Sequence, residues 1–199
     1  GGRGQDTLHF FESRRYPART CPGRPALDNL THALVGAAIA RGGMDRTTPL
    51  ATATLVVAAN APDIDVFSYV RGEYFALAFR RGITHGWPAM LLLPLLVAGG
   101  VLAWDRRVRQ RRRPGEAPAR PWPILLCAFL GVASHPALDW MNIYGMRWGL
   151  PWSEGWTYGD ALYIIDPWIW LVLGGAVYLD SRPVGRSRRM WATLADRKS

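Results

Sequence analysis

Pro121–Asn142 reads PWPILLCAFLGVASHPALDWMN, and this stretch decides the fold. No charged residue interrupts it before His135. About 20 apolar residues at ~1.5 Å each cross the ~30 Å hydrocarbon core of a bilayer, so the run predicts a membrane-spanning helix. It closes on Ser134-His135-Pro136-Ala137-Leu138-Asp139-Trp140. His135 and Asp139 stand at i and i+4, on one helix face and one turn apart. An imidazole and a carboxylate so placed can grip one divalent cation. Ionisable groups at membrane depth are costly and as a rule functional. Pro136 removes a backbone donor, which bends the helix beside His135 or ends it there.

Other apolar runs flank this one. His85 opens a run to Trp104, with Pro94 inside to kink it. Tyr163 to Leu179 forms another, in which Asp166 caps a helix that has Pro167 at its first position. Upstream, a helix is expected over Asp28–Ala40, capped by Asp28 or Asn29, with Ala33, Gly36, Ala37 and Ala38 allowing close helix contact. A second is expected from a Thr47 or Thr48 cap through Pro49 to Asn60, ending before Pro62. Asn60-Ala61-Pro62-Asp63-Ile64-Asp65, taken alone, reads as a solvated turn. The stretch from there to Arg81 is mixed and suits an interfacial position. Residues 143–162 are loop-like, with Trp148, Trp152, Trp156 and Tyr158 suited to a membrane interface. The fold class is therefore all-α, a multi-pass transmembrane bundle of about four to five helices.

The 199 residues are 49% hydrophobic with a formal charge of +9, enough chain for one domain. The charge is uneven. Arg106, Arg107, Arg109, Arg111, Arg112, Arg113 and Arg120 crowd between two apolar runs, as the positive-inside rule expects of a cytoplasmic loop. Direct nucleic-acid binding is not expected; the bilayer is the expected partner. Cys21 and Cys127 fit no metal or disulfide spacing. Residues 1–26 read as a disordered tail with the native start expected near Leu27, 27–180 as the membrane domain, and 181–199 as a basic cytoplasmic tail.

Placing the Arg-rich loop in the cytoplasm brings His32, Asp63, Asp65, His85, His135, Asp139 and Asp166 to the outer membrane face. Thr31, Thr84 and Ser134 each precede a histidine and either cap helices or orient ring nitrogens. Nitrogen and oxygen donors without thiolate suit zinc foremost, then manganese or iron, as one ion or two. Asp160 is the candidate general base or outer carboxylate, and Arg147 the candidate for an anionic substrate. Ligands on a rim are expected to cost little fold stability when replaced.

Asp28-Asn29-Leu30-Thr31-His32-Ala33-Leu34-Val35-Gly36, Ala59-Asn60-Ala61-Pro62-Asp63-Ile64-Asp65, Arg81-Gly82-Ile83-Thr84-His85, Ser134–Trp140 and Ile164-Ile165-Asp166-Pro167 together resemble the YdjM-like family. This family is described as membrane-bound metal-dependent hydrolases and is also labelled LexA-binding or LexA-regulated. Gly86 and Pro136 depart from the residues usual beside those histidines. The resemblance implies a bacterial inner-membrane helical protein in which the seven His and Asp residues hold metal. The reading that follows is a metal-dependent hydrolase acting on a phosphoester of a lipid or envelope molecule. A transporter or ion pathway would need polar residues along helix depth, where these runs are apolar. A purely structural bundle explains Thr84 and Asp166 as caps but leaves His32, His135 and Asp139 without a role.

Overall fold

The computed structural model describes residues 29–72, 84–142, 145–147, 149–153, 155–157, 159–163 and 166–181. The readings of Asp28 as a cap, of 73–83 as interfacial, of Trp148 and Tyr158, and of both tails fall outside these residues. The described residues are helical, with five α-helices: α1 Asn29–Arg41, α2 Ala51–Asn60, α3 Trp87–Trp104, α4 Pro121–Met141 and α5 Pro167–Ser181. A π-turn over Asp105–Arg109 carries α3 on to Arg112. Two helices, Trp87–Arg112 and Pro121–Met141, are long and apolar enough to cross a membrane.

Helix α4 is the centre. Its buried residues are Ile124, Cys127, Ala128, Gly131, Val132, His135, Pro136 and Asp139. They follow the three-and-four spacing of a single helical stripe, so the stripe that packs against α2 and α3 runs straight into the His–Asp motif. Pro136 lies within the helix, which continues to Met141.

Small residues set the helix spacing. A Cβ on Gly131 would stand 2.6 Å from the Ala58 Cβ, and one on Gly36 2.8 Å from the Leu55 carbonyl oxygen. Helix α2 is thus clasped between α1 and α4 at near-backbone contact, as membrane helices rich in Gly and Ala allow. On α3 the buried residues are Ala89, Met90, Pro94 and Ala98, while Leu91, Leu92, Leu95 and Leu96 are exposed. Leucine outward and alanine inward fits a lipid surround. Helix α5 rests on α1, where the Trp170 indole donates to Thr31 Oγ1 at 2.8 Å.

The expected threonine cap of α2 is overturned. The Thr47 hydroxyl donates to the Met44 carbonyl at 2.6 Å, and Thr48 Oγ1 accepts from the Arg120 amide at 2.8 Å. Helix α2 instead starts from Leu50 at φ 69° with no side-chain cap. A contact to a residue far along the chain outcompetes the local cap, and it ties the α1–α2 turn to the α3–α4 loop. In that loop, buried Asp105 accepts from Arg109 at 2.6 Å and from the Ala119 amide at 2.9 Å. Both connections therefore sit at one end of the bundle, with the arginines. The start of α1, the end of α2, the start of α3 and the end of α4 gather at the other.

Asn60–Asp65 is not a solvated turn. The chain leaves α2 directly into a 3-10 helix, Ala61–Arg71. Three residues per turn put Pro62, Asp65 and Ser68 on one buried row and Ile64, Phe67 and Val70 on the opposite, exposed row. Polar groups face inward and apolar ones outward, an inversion that suits a polar centre wrapped in lipid.

Candidate metal centre

Four chain segments deliver the site. His32 comes from the first turn of α1, Asp63 and Asp65 from the 3-10 helix, His85 from the residues before α3, and His135 and Asp139 from α4. All six are buried, with His85 and His135 at 0% exposure.

His135 is the hub. Its Nδ1 lies 2.6 Å from the Ala59 carbonyl, which can only accept, so the proton sits on Nδ1 and the lone pair on Nε2. That Nε2 stands 3.6 Å from Asp63 Oδ1 and 3.7 Å from Asp139 Oδ2. The His32 ring stacks on His135 at 3.7 Å between centroids, with His32 Nε2 3.7 Å from Asp139 Oδ1. His32 Nδ1 is buried without a hydrogen-bond partner.

His85 is oriented by a relay. The Thr84 hydroxyl donates to Asp65 Oδ2 at 3.0 Å and also lies 3.0 Å from His85 Nδ1. With its one hydrogen on the carboxylate, the hydroxyl oxygen accepts from His85 Nδ1–H. His85 Nε2 then carries a lone pair too, and it faces His135 Nε2 at 3.1 Å and Asp139 Oδ2 at 3.4 Å. Two buried lone pairs cannot face each other at that distance unless a proton or a cation lies between them. Nitrogens sharing one tetrahedral zinc ion at about 2.0–2.1 Å stand about 3.3–3.4 Å apart, close to the spacing here. The donor set fits a divalent cation: His32, Asp63 and His135 form one compatible group, and His85, His135 and Asp139 another.

Burial raises the Asp63 carboxyl above the usual carboxylate range; His32 opposes the shift, and Asp139 and Asp65 add to it. Asp139 is held in turn by the Asn142 amide at 3.4 Å, and Asn142 Oδ1 accepts from the Gly145 amide.

The remaining sequence-derived candidates lie elsewhere. Asp65 sits behind His85, on the Nδ1 side, and is outside both ligand groups. Asp166 Oδ1 accepts from the amides of Trp168 and Ile169 at 2.9 and 3.4 Å, the cap expected of it, and is likewise outside both groups. Asp160 is exposed at φ 48° on the loop after α4. On the same loop the Arg147 guanidinium lies 5.2 Å from the Trp156 ring centre. The loop is pinned to the end of α4, with the Gly159 amide donating to the Trp140 carbonyl at 2.6 Å and the Ala161 amide to that of Met141 at 2.8 Å.

The expectation of a rim site that tolerates replacement is corrected, because His135 is core. Sequence reasoning also missed the Ala59 carbonyl, a backbone atom with no sequence signal. Of the three hydroxyls, Thr84 orients a ring. Ser134 donates back to the Gly131 carbonyl at 2.8 Å, and Thr31 receives Trp170. Thr84→Val is expected to leave the helices intact and weaken metal affinity at least ~10-fold, the usual effect of losing an outer hydrogen bond to a ligand. Competitive chelator titration measures it, and unchanged affinity would remove Thr84 from the relay.

No curated protein and no solved structure matches the chain significantly. A family model described as YdjM inner membrane protein matches residues 27–195, which include every residue of the cluster. The chain belongs to the YdjM inner membrane protein family.

Proposed function

We propose that the protein is a membrane-bound metal-dependent hydrolase that holds one divalent ion, zinc foremost and manganese or iron as alternatives. The observation that carries this reading is the pair of facing Nε2 atoms at 3.1 Å, each on a ring whose Nδ1 is already engaged. One ion follows from His135. Both ligand groups draw on this residue, and its Nδ1 is committed to Ala59, so a single Nε2 is left to serve them. His85, His135 and Asp139 would hold the ion, with His32 and Asp63 as the neighbouring donors.

A bound ion supplies Lewis acidity and lowers the pKa of water towards neutrality. Asp63, 3.6 Å from His135 Nε2, would be placed to take a proton from the attacking water. In the phosphoester reaction the water oxygen joins phosphorus, the bond to the leaving alcohol breaks, and Asp63 returns the proton to that alcohol. Arg147, on the loop pinned to α4, meets the anionic group, and Asp160 on the same loop is an outer carboxylate. The Arg106–Arg113 end faces the cytoplasm by the positive-inside rule, which directs the His–Asp centre to the outer face of the inner membrane and the C-terminus inward. In a multi-pass arrangement α3, α4 and α5 cross the bilayer, and the shorter α1 and α2 enter it in part. The middles of α3 and α4 bury Ala98, Ala128 and Val132, which disfavours an ion pathway through their depth.

Metal analysis of protein purified without chelator tests the reading. One transition-metal ion per chain is expected, lost to chelator and restored by zinc, with hydrolysis of a chromogenic phosphodiester following the metal. Retention should weaken as pH falls, because protons compete with the metal for the same ligand atoms. Protein that binds no transition metal even after reconstitution would sink the proposal.

A further inference from the structure

Among the described residues, two grooves flank α3, and they differ in one respect. The groove between α3 and α4, about 490 Å³, is lined by apolar side chains alone and touches neither ligand group. The other, about 720 Å³, lies among α2, the 3-10 helix and α3, and it runs from Asn60 and Asp63 past Val57 and Phe67 to Leu93 and Val97. That volume lies within the ~300–1,000 Å³ of small-molecule sites.

The second groove is polar at one end only, and that end is the metal centre. Asp63 lines the groove and also stands 3.6 Å from His135 Nε2. Beside it, Asn60 donates to the Val56 carbonyl at 2.9 Å, while its Oδ1 is buried with no partner, an acceptor positioned for a ligand hydroxyl or ammonium. The far end is set by helix geometry. From Trp87 at the start of α3 to Val97 is a rise of about 15 Å at ~1.5 Å per residue. Half of a ~30 Å hydrocarbon core is the same length, the depth of one leaflet. A chain lying from Asp63 to Val97 would therefore keep the depth it has in the membrane.

We infer that this groove takes one acyl chain of a membrane glycerolipid and presents the phosphate-ester linkage at its head to Asp63. The inference rests on the hydrolase reading for its chemistry, and on the groove alone for its ligand. Bulk lipid reaches both grooves; a specific lipid site gives one of them preference.

The test uses the full chain in nanodiscs of phosphatidylcholine containing a small fraction of phosphatidylglycerol with a photoreactive diazirine near the middle of one acyl chain. After irradiation, peptide mapping compares Val57 and Phe67 with Leu91, Leu95 and Phe129, all exposed to lipid to a similar degree. The expected result is about tenfold more label on the first set, the ratio that a modest binding preference produces. Leu96→Trp, which fills the groove from its exposed side, should abolish that excess, with unchanged metal content showing that the fold is kept. Even labelling of the two sets, or an excess that Leu96→Trp leaves in place, would overturn the inference. Metal content of the same preparations separates the two claims. Bound metal with even labelling rejects the groove alone. No metal with a tenfold excess rejects the hydrolase and keeps the lipid site.

Discussion

His135→Ala is expected to abolish metal binding and to destabilise the fold by about 3–5 kcal/mol, the combined effect of an emptied core position and a stranded buried carbonyl. The ring is fully buried, stacked on His32, and bonded to the Ala59 carbonyl. Alanine removes the nitrogen common to both ligand groups and leaves the end of α2 without its tie to α4. Metal analysis and thermal unfolding in detergent, run on the same sample, give the two readouts. Metal content equal to wild type would dismantle the proposed site. Loss of metal at wild-type stability would contradict the buried position of the ring.

Gly131→Leu should act through packing and still reach the metal. Its Cβ would come within 2.6 Å of the Ala58 Cβ and 2.8 Å of the Leu55 carbonyl oxygen, so α4 must move off α2. Overpacking of this kind costs about 1–3 kcal/mol, and the upper end is expected where the contact is with backbone. Ala58 precedes Ala59, so the shift also pulls the carbonyl away from His135 and lowers metal affinity. Gly100→Leu on α3 is the control: no atom lies within 4 Å of the added Cβ, and unfolding should be close to wild type. Equal unfolding of the two variants would show that α2 and α4 are not in close contact.

Much of this was legible in sequence because it depends on length and spacing. The apolar runs starting at His85 and Pro121 identify α3 and α4, and the i, i+4 spacing of His135 and Asp139 survives the proline between them. Counting helix ends predicts that His32, Asp63, Asp65, His85, His135, Asp139 and Asp166 meet at one end of the bundle; the packing gathers the first six, while Asp166 caps α5. What was not legible depends on partners remote in sequence or on backbone atoms. Thr48 reads as a cap until the Arg120 amide claims it. Asp65 reads as a ligand until Thr84 places it behind His85. The buried row of the 3-10 helix was hidden because Pro and Asp together look like a turn, and only the period of Ile64, Phe67 and Val70 hints otherwise. Asp166 carries two readings in sequence, and its cap is the one visible in the hydrogen bonds.

Pro62 has a consequence for the chemistry of the histidines. In a 3-10 helix the amide of residue 62 would normally bond the carbonyl of residue 59. Proline has no N–H to offer, so the Ala59 oxygen stays available to a side chain. The imidazole of His135 takes it, and its tautomer is selected by a hydrogen that the main chain lacks. An amino acid that looks like punctuation between two segments thus governs which nitrogen of a distant ring is basic.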